Sequence, residues 1–96
     1  MNITQPTALT LQALTRGHSY AFDIMHVTGL PSGTVYPLLR RLEREKCVVA
    51  KWEDARAAHD AGRPRRRHYA ITAHGKVVLA RAIDRFAYVE FAISRS

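Results

Sequence analysis

The chain has 96 residues, enough for one domain with a modest core, and its 15 Lys and Arg outnumber 8 Asp and Glu for a formal charge of +7. That balance favours a polyanionic partner, and no stretch approaches the ~18 apolar residues of a membrane span. A lone cysteine, Cys47, excludes an intrachain disulfide and a cysteine metal cluster; with no basic and apolar leader over residues 1–10, a cytoplasmic location is expected.

Leu9, Leu11, Ala13 and Leu14, bracketed by Pro6 and Gly17, predict a first helix over residues 7–16, because Pro suits a helix start and Gly an end. Ser19 is placed to cap a second helix, in which Tyr20, Ile24 and Val27 fall near helical spacing before Gly29. Pro31 and Ser32 open a third, over residues 32–46. There Val35, Leu38, Leu39 and Leu42 follow the i, i+3, i+4, i+7 pattern and leave Arg40, Arg41 and Arg44 on or near the opposite side. Pro37 is tolerated if this helix begins at residues 32–34, where amides lack intrahelical partners.

Val48, Val49 and Trp52, interleaved with Ala50 and Lys51, predict a strand, and residues 67–72 its partner. Between them residues 55–61 read as a loose loop. It leads into Gly62, Arg63, Pro64, Arg65, Arg66 and Arg67, four guanidinium groups in five positions on a chain path restricted by Gly and Pro. From residue 40 to residue 67, ten Lys and Arg face five Asp and Glu, so most of the net charge lies there. Thr72 can cap a final helix running toward Ser94. In it Leu79, Ala82, Phe86, Val89 and Ile93 are spaced 3, 4, 3, 4, a coiled-coil-like seam that calls for a second helix, so a homodimer is expected.

This order of elements predicts a mainly α fold with a small β-hairpin: a winged helix-turn-helix over residues 1–72 and a C-terminal dimerisation helix over 73–96. A helix of the third one's size fits the major groove of double-stranded DNA. Ser32 and Thr34 are small hydroxyl donors that allow close approach, Tyr36 can bond a phosphate, and Arg40 can reach a base or the backbone. Ser19 and Tyr20, opening the second helix, form a candidate phosphate clamp. Arg41, Arg63, Arg65, Arg66 and Arg67 complete the candidate DNA-binding set.

Three stretches carry a family resemblance: Gly17 to Ile24, Gly33 to Leu42, and the wing Gly62 to Tyr69, closed by Thr72 and Gly75. Over nearly the whole chain the sequence resembles the short-form PadR-like transcriptional regulators. The resemblance implies a dimeric, repressor-type winged helix with paired C-terminal helices, and some members bind small aromatic or hydrophobic effectors. It assigns recognition-helix roles to Ser32, Thr34, Tyr36, Pro37 and Arg40, and wing roles to Arg63, Arg65 and Arg66. Ala21 departs from the family's usual Gly after the Tyr. Lys46 and Cys47 stand where a Gly normally turns the third helix into the strand, so either the turn is rebuilt or Lys46 adopts a left-handed backbone.

Other residues have competing readings. Trp52 reads first as core or hairpin packing and second as a stacking surface for a planar effector. Cys47, beside Val48 and Val49, reads as buried rather than redox-active. His18, His26, His59, His68 and His74 show no i, i+4 pair, so no metal is expected; His18 and His68 lie near the DNA-facing segments. No nucleophile motif is present, so neither catalysis nor a cofactor is expected. The alternative function is a winged helix used as a protein-interaction module, with RNA binding less suited because the A-form major groove is too narrow.

Overall fold

The computed structural model describes residues 3–85. The order is α1 (Gln5–Thr15), α2 (Ala21–Thr28), α3 (Ser32–Arg44), β1 (Val48–Trp52), α4 (Ala55–Asp60), β2 (Arg67–Ile71) and α5 (Ala73–Arg85). The two strands form an antiparallel hairpin in which Val48 opposes Ile71 and Trp52 opposes Arg67.

Helix α1 starts two residues earlier than the apolar pattern indicates. The Thr4 hydroxyl accepts the Thr7 amide at 3.4 Å, and Pro6 lies in the first turn, where its missing N–H costs little. The helix ends on Gly17 at φ +92°, with the amides of Gly17 and His18 returning to the carbonyls of Leu14 and Ala13. Its inner face meets α2, α3, β2 and α5. Leu11, Ala13 and Leu14 enter the main core, while Ala8 and Leu9 pack on Ala82.

Ser19 does not cap α2. The N-cap is Tyr20, which makes no side-chain cap bond, and the Ser19 carbonyl accepts the Tyr69 amide at 2.8 Å. A tertiary tie to β2 thus replaces the local cap and fastens the start of α2 to the hairpin.

The apolar stripe of α3 is buried as its periodicity requires: Val35, Leu38, Leu39 and Leu42 face the core. Truncating Leu39 or Leu42 to Ala would cost about 2–5 kcal/mol. Pro37 lies five residues past Ser32, inside the helix rather than among its free first-turn amides. The carbonyl one turn back, on exposed Gly33, therefore lacks its usual partner and is left to water.

Helix α3 closes at Arg44, two residues before the expected end, through a turn made without glycine. Lys46 takes φ +62°, its amide donates to the Glu43 carbonyl at 3.1 Å, and the Cys47 amide donates to the Leu42 carbonyl at 2.9 Å. This is the hydrogen-bond pattern of a glycine-terminated helix with Lys in the left-handed position. Cys47 is buried, and burial raises its thiol pKa above the ordinary value.

The segment expected to be a loose loop is helix α4. Asp54 caps it by accepting the Ala57 amide at 3.1 Å, and Gly62 ends it at φ +68°. Thr72 caps α5 as expected: its hydroxyl accepts the Gly75 amide at 3.0 Å and donates to the Lys46 carbonyl at 2.7 Å. The α5 backbone is thereby pressed onto the α3–β1 junction. A Cβ on Gly75 would come within 2.1 Å of the Cys47 carbonyl oxygen.

Candidate nucleic-acid interface

The start of α3 is open to solvent. Pro31 at the N-cap offers no side-chain bond, and Ser32, Gly33, Tyr36, Pro37 and Arg40 are exposed, with Thr34 half-buried. An uncapped helix N-terminus presents partial positive charge and amide donors to an anion.

Two faces of α3 divide the expected residues. Tyr36 and Arg40 turn toward the hairpin, where they line a cleft of about 540 Å³ with Tyr20, Arg65, Arg66 and Arg67. Thr34, Pro37 and Arg41 line a second depression of about 400 Å³ on the other flank, together with Arg44. Arg41 is half-buried and donates through Nη2 to the Thr7 hydroxyl at 3.1 Å, so it is anchored to α1. Ser19 is half-buried with its carbonyl on β2, while its neighbour Tyr20 faces the cleft.

The arginines of the wing are organised by Glu53, the residue after β1. Arg63 grips its carboxylate with both terminal nitrogens, Nη2 lying 2.6 Å from Oε2, and Arg66 Nη2 reaches the same Oε2 at 3.1 Å. Arg65 Nε donates to the Glu53 carbonyl at 2.8 Å, and the Glu53 amide donates to the Arg66 carbonyl at 2.7 Å. The Arg63 hydrogen bonds, reinforced by Arg66 and opposed by desolvation, lower the Glu53 pKa to about 2. Arg63 is thus neutralised within the protein, and Arg66 in part. Arg67, opposite Trp52, donates to Glu43 Oε2 at 3.1 Å.

Aromatic rings carry the remaining guanidinium contacts. Arg66 stands 3.8 Å over the Tyr20 ring, and Arg65 and Arg67 lie 5.8 and 5.4 Å from the Trp52 ring centre. His68 lies beside the other partner, its ring 5.5 Å from that of Tyr20. Trp52 is 56 % exposed, so it is not a core residue.

Sequence reasoning missed Glu53, Glu43 and Phe22. Phe22 is 73 % exposed at the mouth of the cleft, and its position off the apolar stripe of α2 was the available signal. For the two glutamates no local signal exists, because their partners come from a separate stretch of chain.

Of the seam residues, Leu79 and Ala82 are buried in the chain's own core, whereas Phe86, Val89 and Ile93 lie outside the described residues. Among the described residues no helix is long and apolar enough to cross a membrane.

Three helices followed by a two-stranded wing, with the third helix exposed at its start, define a winged helix-turn-helix domain. The same fold occurs in a PadR family transcription regulator from hypervirulent Clostridium difficile R20291 at 18% identity and TM-score 0.74, covering 96% of this chain and 97% of that one. It recurs in the PcaV transcriptional regulator from Streptomyces coelicolor, solved with its natural ligand, at 22% identity and TM-score 0.73, over 91% of this chain and 57% of that one. A third likeness is a point mutant of S. aureus MepR bound to an oligodeoxyribonucleotide, at 24% identity and TM-score 0.67, over 98% of this chain and 65% of that one. The chain therefore spans little more than half the length of PcaV and just under two thirds of MepR. No curated protein matches it by sequence. The transcriptional regulator PadR-like family model matches residues 10–81, three quarters of the chain, and the protein belongs to that family. It is thus a transcriptional regulator by family, in a group that is not enzymatic.

Proposed function

We propose that the protein is a homodimeric transcriptional repressor that binds a dyad-symmetric operator and responds to a small aromatic or hydrophobic effector. The observation that carries this reading is the single cationic face formed by Tyr36 and Arg40 of α3 with Tyr20 and Arg65 to Arg67. Helix α3 enters the major groove by its exposed N-terminal turns, where Ser32, Thr34 and Arg40 approach base edges. The start of α2 and the wing hold the backbone on either side, which sets register without reading sequence. The DNA-bound MepR structure and the ligand-bound PcaV structure support the DNA and effector parts by analogy of fold.

Dimerisation falls to the distal seam residues Phe86, Val89 and Ile93, since Leu79 and Ala82 are occupied inside the chain. Two α3 helices set one duplex turn apart read half-sites about 10 bp, or a multiple, between centres.

The test is a mobility-shift series on promoter fragments at rising salt. Release of two or more phosphate counterions reduces affinity about tenfold or more for a fourfold salt increase. Flat salt dependence, with no preference for any palindromic fragment, would exclude the reading. Exposed Phe22 and Trp52 favour the second reading, a protein-interaction module, because apolar anchors of that kind mark contact surfaces. Binding to an acidic protein surface with no binding to duplex DNA would select it.

A further inference from the structure

The positive charge around α3 is spent unevenly. On the wing side Arg63 and Arg66 share the Glu53 carboxylate and Arg67 bonds Glu43, so these guanidinium groups already have an anion. Across the helix, the depression of about 400 Å³ between α1 and α3 is lined by Arg41 and Arg44 and by no acidic residue. Neither arginine forms an ion pair among the described residues. Of the two acids flanking Arg44 in sequence, Glu43 is taken by Arg67 and Glu45 is exposed outside the depression.

This flank is built as well as charged. Thr34, Leu38, Arg41 and Arg44 follow one another at intervals of 4, 3 and 3, a single stripe of α3. Arg41 is held in place, because its Nη2 donates to the buried Thr7 hydroxyl, which in turn lies 3.0 Å from that of Thr4. Its Nε–H is buried without a hydrogen-bond partner, an arrangement proteins usually avoid. A guanidinium fixed in advance loses little freedom when an anion docks on it. Exposed Arg44 brings a second fork to the same depression. Helix α1 adds positive potential, since Thr4 and Pro6 at its start line the site and its first turn carries no acid.

A helix with its side chains is about 10–12 Å across and the major groove about 12 Å wide, so a helix in that groove has a sugar-phosphate chain along each flank. The two chains belong to different strands. We propose that the α1–α3 depression is a separate phosphate clamp, in which Arg41, Arg44 and the Thr34 hydroxyl hold the strand that runs on the α1 side of α3, across the helix from the wing. The clamp rests on the DNA-binding reading above. With no carboxylate to displace, Arg44 contributes more to the salt dependence of binding than Arg63, whose charge Glu53 already offsets.

The experiment measures the affinity of the full chain for one retained duplex over a salt series, and maps the phosphates it needs by ethylation interference on each strand. Arg44→Gln should lower the log–log salt slope by about 0.9, so that a fourfold salt increase costs it about 3.5-fold less than the parent. Arg41→Gln should do the same, and because Arg44 is exposed its variant stays informative even if loss of the Arg41–Thr7 bond disturbs folding. Arg63→Gln should change the slope less than Arg44→Gln. Arg81→Gln, which removes an exposed charge on α5 outside both depressions, should leave it unchanged. Interference should fall on both strands of each half-site in the parent, and Arg44→Gln should lose the patch on one strand only.

An unchanged slope in Arg44→Gln beside normal DNA binding overturns the clamp and spares the DNA reading, as does an equal drop in Arg81→Gln. A slope change in Arg63→Gln as large as that in Arg44→Gln overturns the ranking of the two sides. Loss of interference on both strands overturns the assignment to one. Inorganic phosphate in place of chloride at equal ionic strength should leave the affinity within twofold; a larger loss that Arg44→Gln removes would give the site to free phosphate instead of the DNA backbone. Failure of the parent to bind any duplex rejects the DNA reading and the clamp together.

Discussion

The guanidinium of Arg66 lies 3.8 Å over the Tyr20 ring, so the wing is fastened to the residue that opens α2. A contact of this kind is worth about 0.5–2 kcal/mol, according to how dry it is. It also carries a second link, because the same guanidinium bonds Glu53 and so joins α2 to the end of β1. Three elements around α3 are thereby held in one geometry.

Tyr20 can act through its ring or through its hydroxyl, and two substitutions separate these roles. If the ring positions Arg66, Tyr20→Phe should bind DNA within about twofold of the parent. Tyr20→Leu should then lose about fivefold, the equivalent of ~1 kcal/mol. Equal losses in both would assign the hydroxyl to a phosphate instead. Quantitative gel shifts on one retained duplex make the comparison.

Glu53 holds Arg63 and Arg66, and in the proposed DNA complex it would compete with phosphates for them. Glu53→Gln removes the carboxylate that neutralises Arg63 and shares Arg66, so each arginine released to a phosphate should steepen the salt dependence by about 0.9 in log–log slope. Low-salt affinity for unrelated DNA should rise with it. An unchanged slope between roughly 50 and roughly 200 mM salt would mean that Arg63 stays on the protein in the complex.

The same residue sets an acid response whose sign is fixed by its lowered pKa. A carboxyl with a folded pKa near 2 and an ordinary unfolded value of 4.5 stabilises the fold fully above the unfolded value. The contribution declines as pH falls from 4.5 toward 2. Urea denaturation at stepped pH should therefore show a steeper acid loss in the parent than in Glu53→Gln. Parallel curves would deny the clamp any part in stability.

The junction of α3, β1 and α5 offers two opposite backbone tests. Gly75→Ala places a methyl 2.1 Å from the Cys47 carbonyl oxygen and should destabilise by about 1–3 kcal/mol or more as the helix is pushed away. Lys46→Gly relieves a left-handed non-glycine residue at φ +62° and should stabilise by about 0.5–1 kcal/mol. Chemical denaturation midpoints decide both.

Much of this fold was legible because its elements carry strong local signals. The spacing of Val35, Leu38, Leu39 and Leu42 gave α3 its buried face, and β-branched Val48 and Val49 with Trp52 marked β1. Helix α4 was not legible because six residues show no apolar period; its ends depend on Asp54 and Gly62, and adjacent arginines draw attention to charge. Ser19 misleads for another reason. Its side chain suits a cap, but pairing with β2 decides the local structure.

At the site, the arginine run identified the wing but not its state. Glu53 is ten residues from Arg63 and thirteen from Arg66, and they meet only when α4 closes the connection between the strands. The split of α3 into two flanks likewise needed the fold, since Arg40 and Arg41 are adjacent in sequence yet one faces the cleft and the other bonds Thr7. Lys46 was recognisable as a departure from a glycine turn, and of the two alternatives it is the left-handed backbone that occurs.

The most direct measurement of groove reading by α3 is selection of duplexes from a random pool by the parent, Thr34→Ala, Arg40→Ala and Arg66→Ala, followed by sequencing. The parent should enrich a dyad-symmetric motif with half-sites about 10 bp apart or a multiple; Thr34→Ala and Arg40→Ala should change the preferred bases, and Arg66→Ala should keep the motif at lower affinity. No enriched motif, or the same loss of affinity on every sequence for all three variants, would contradict it.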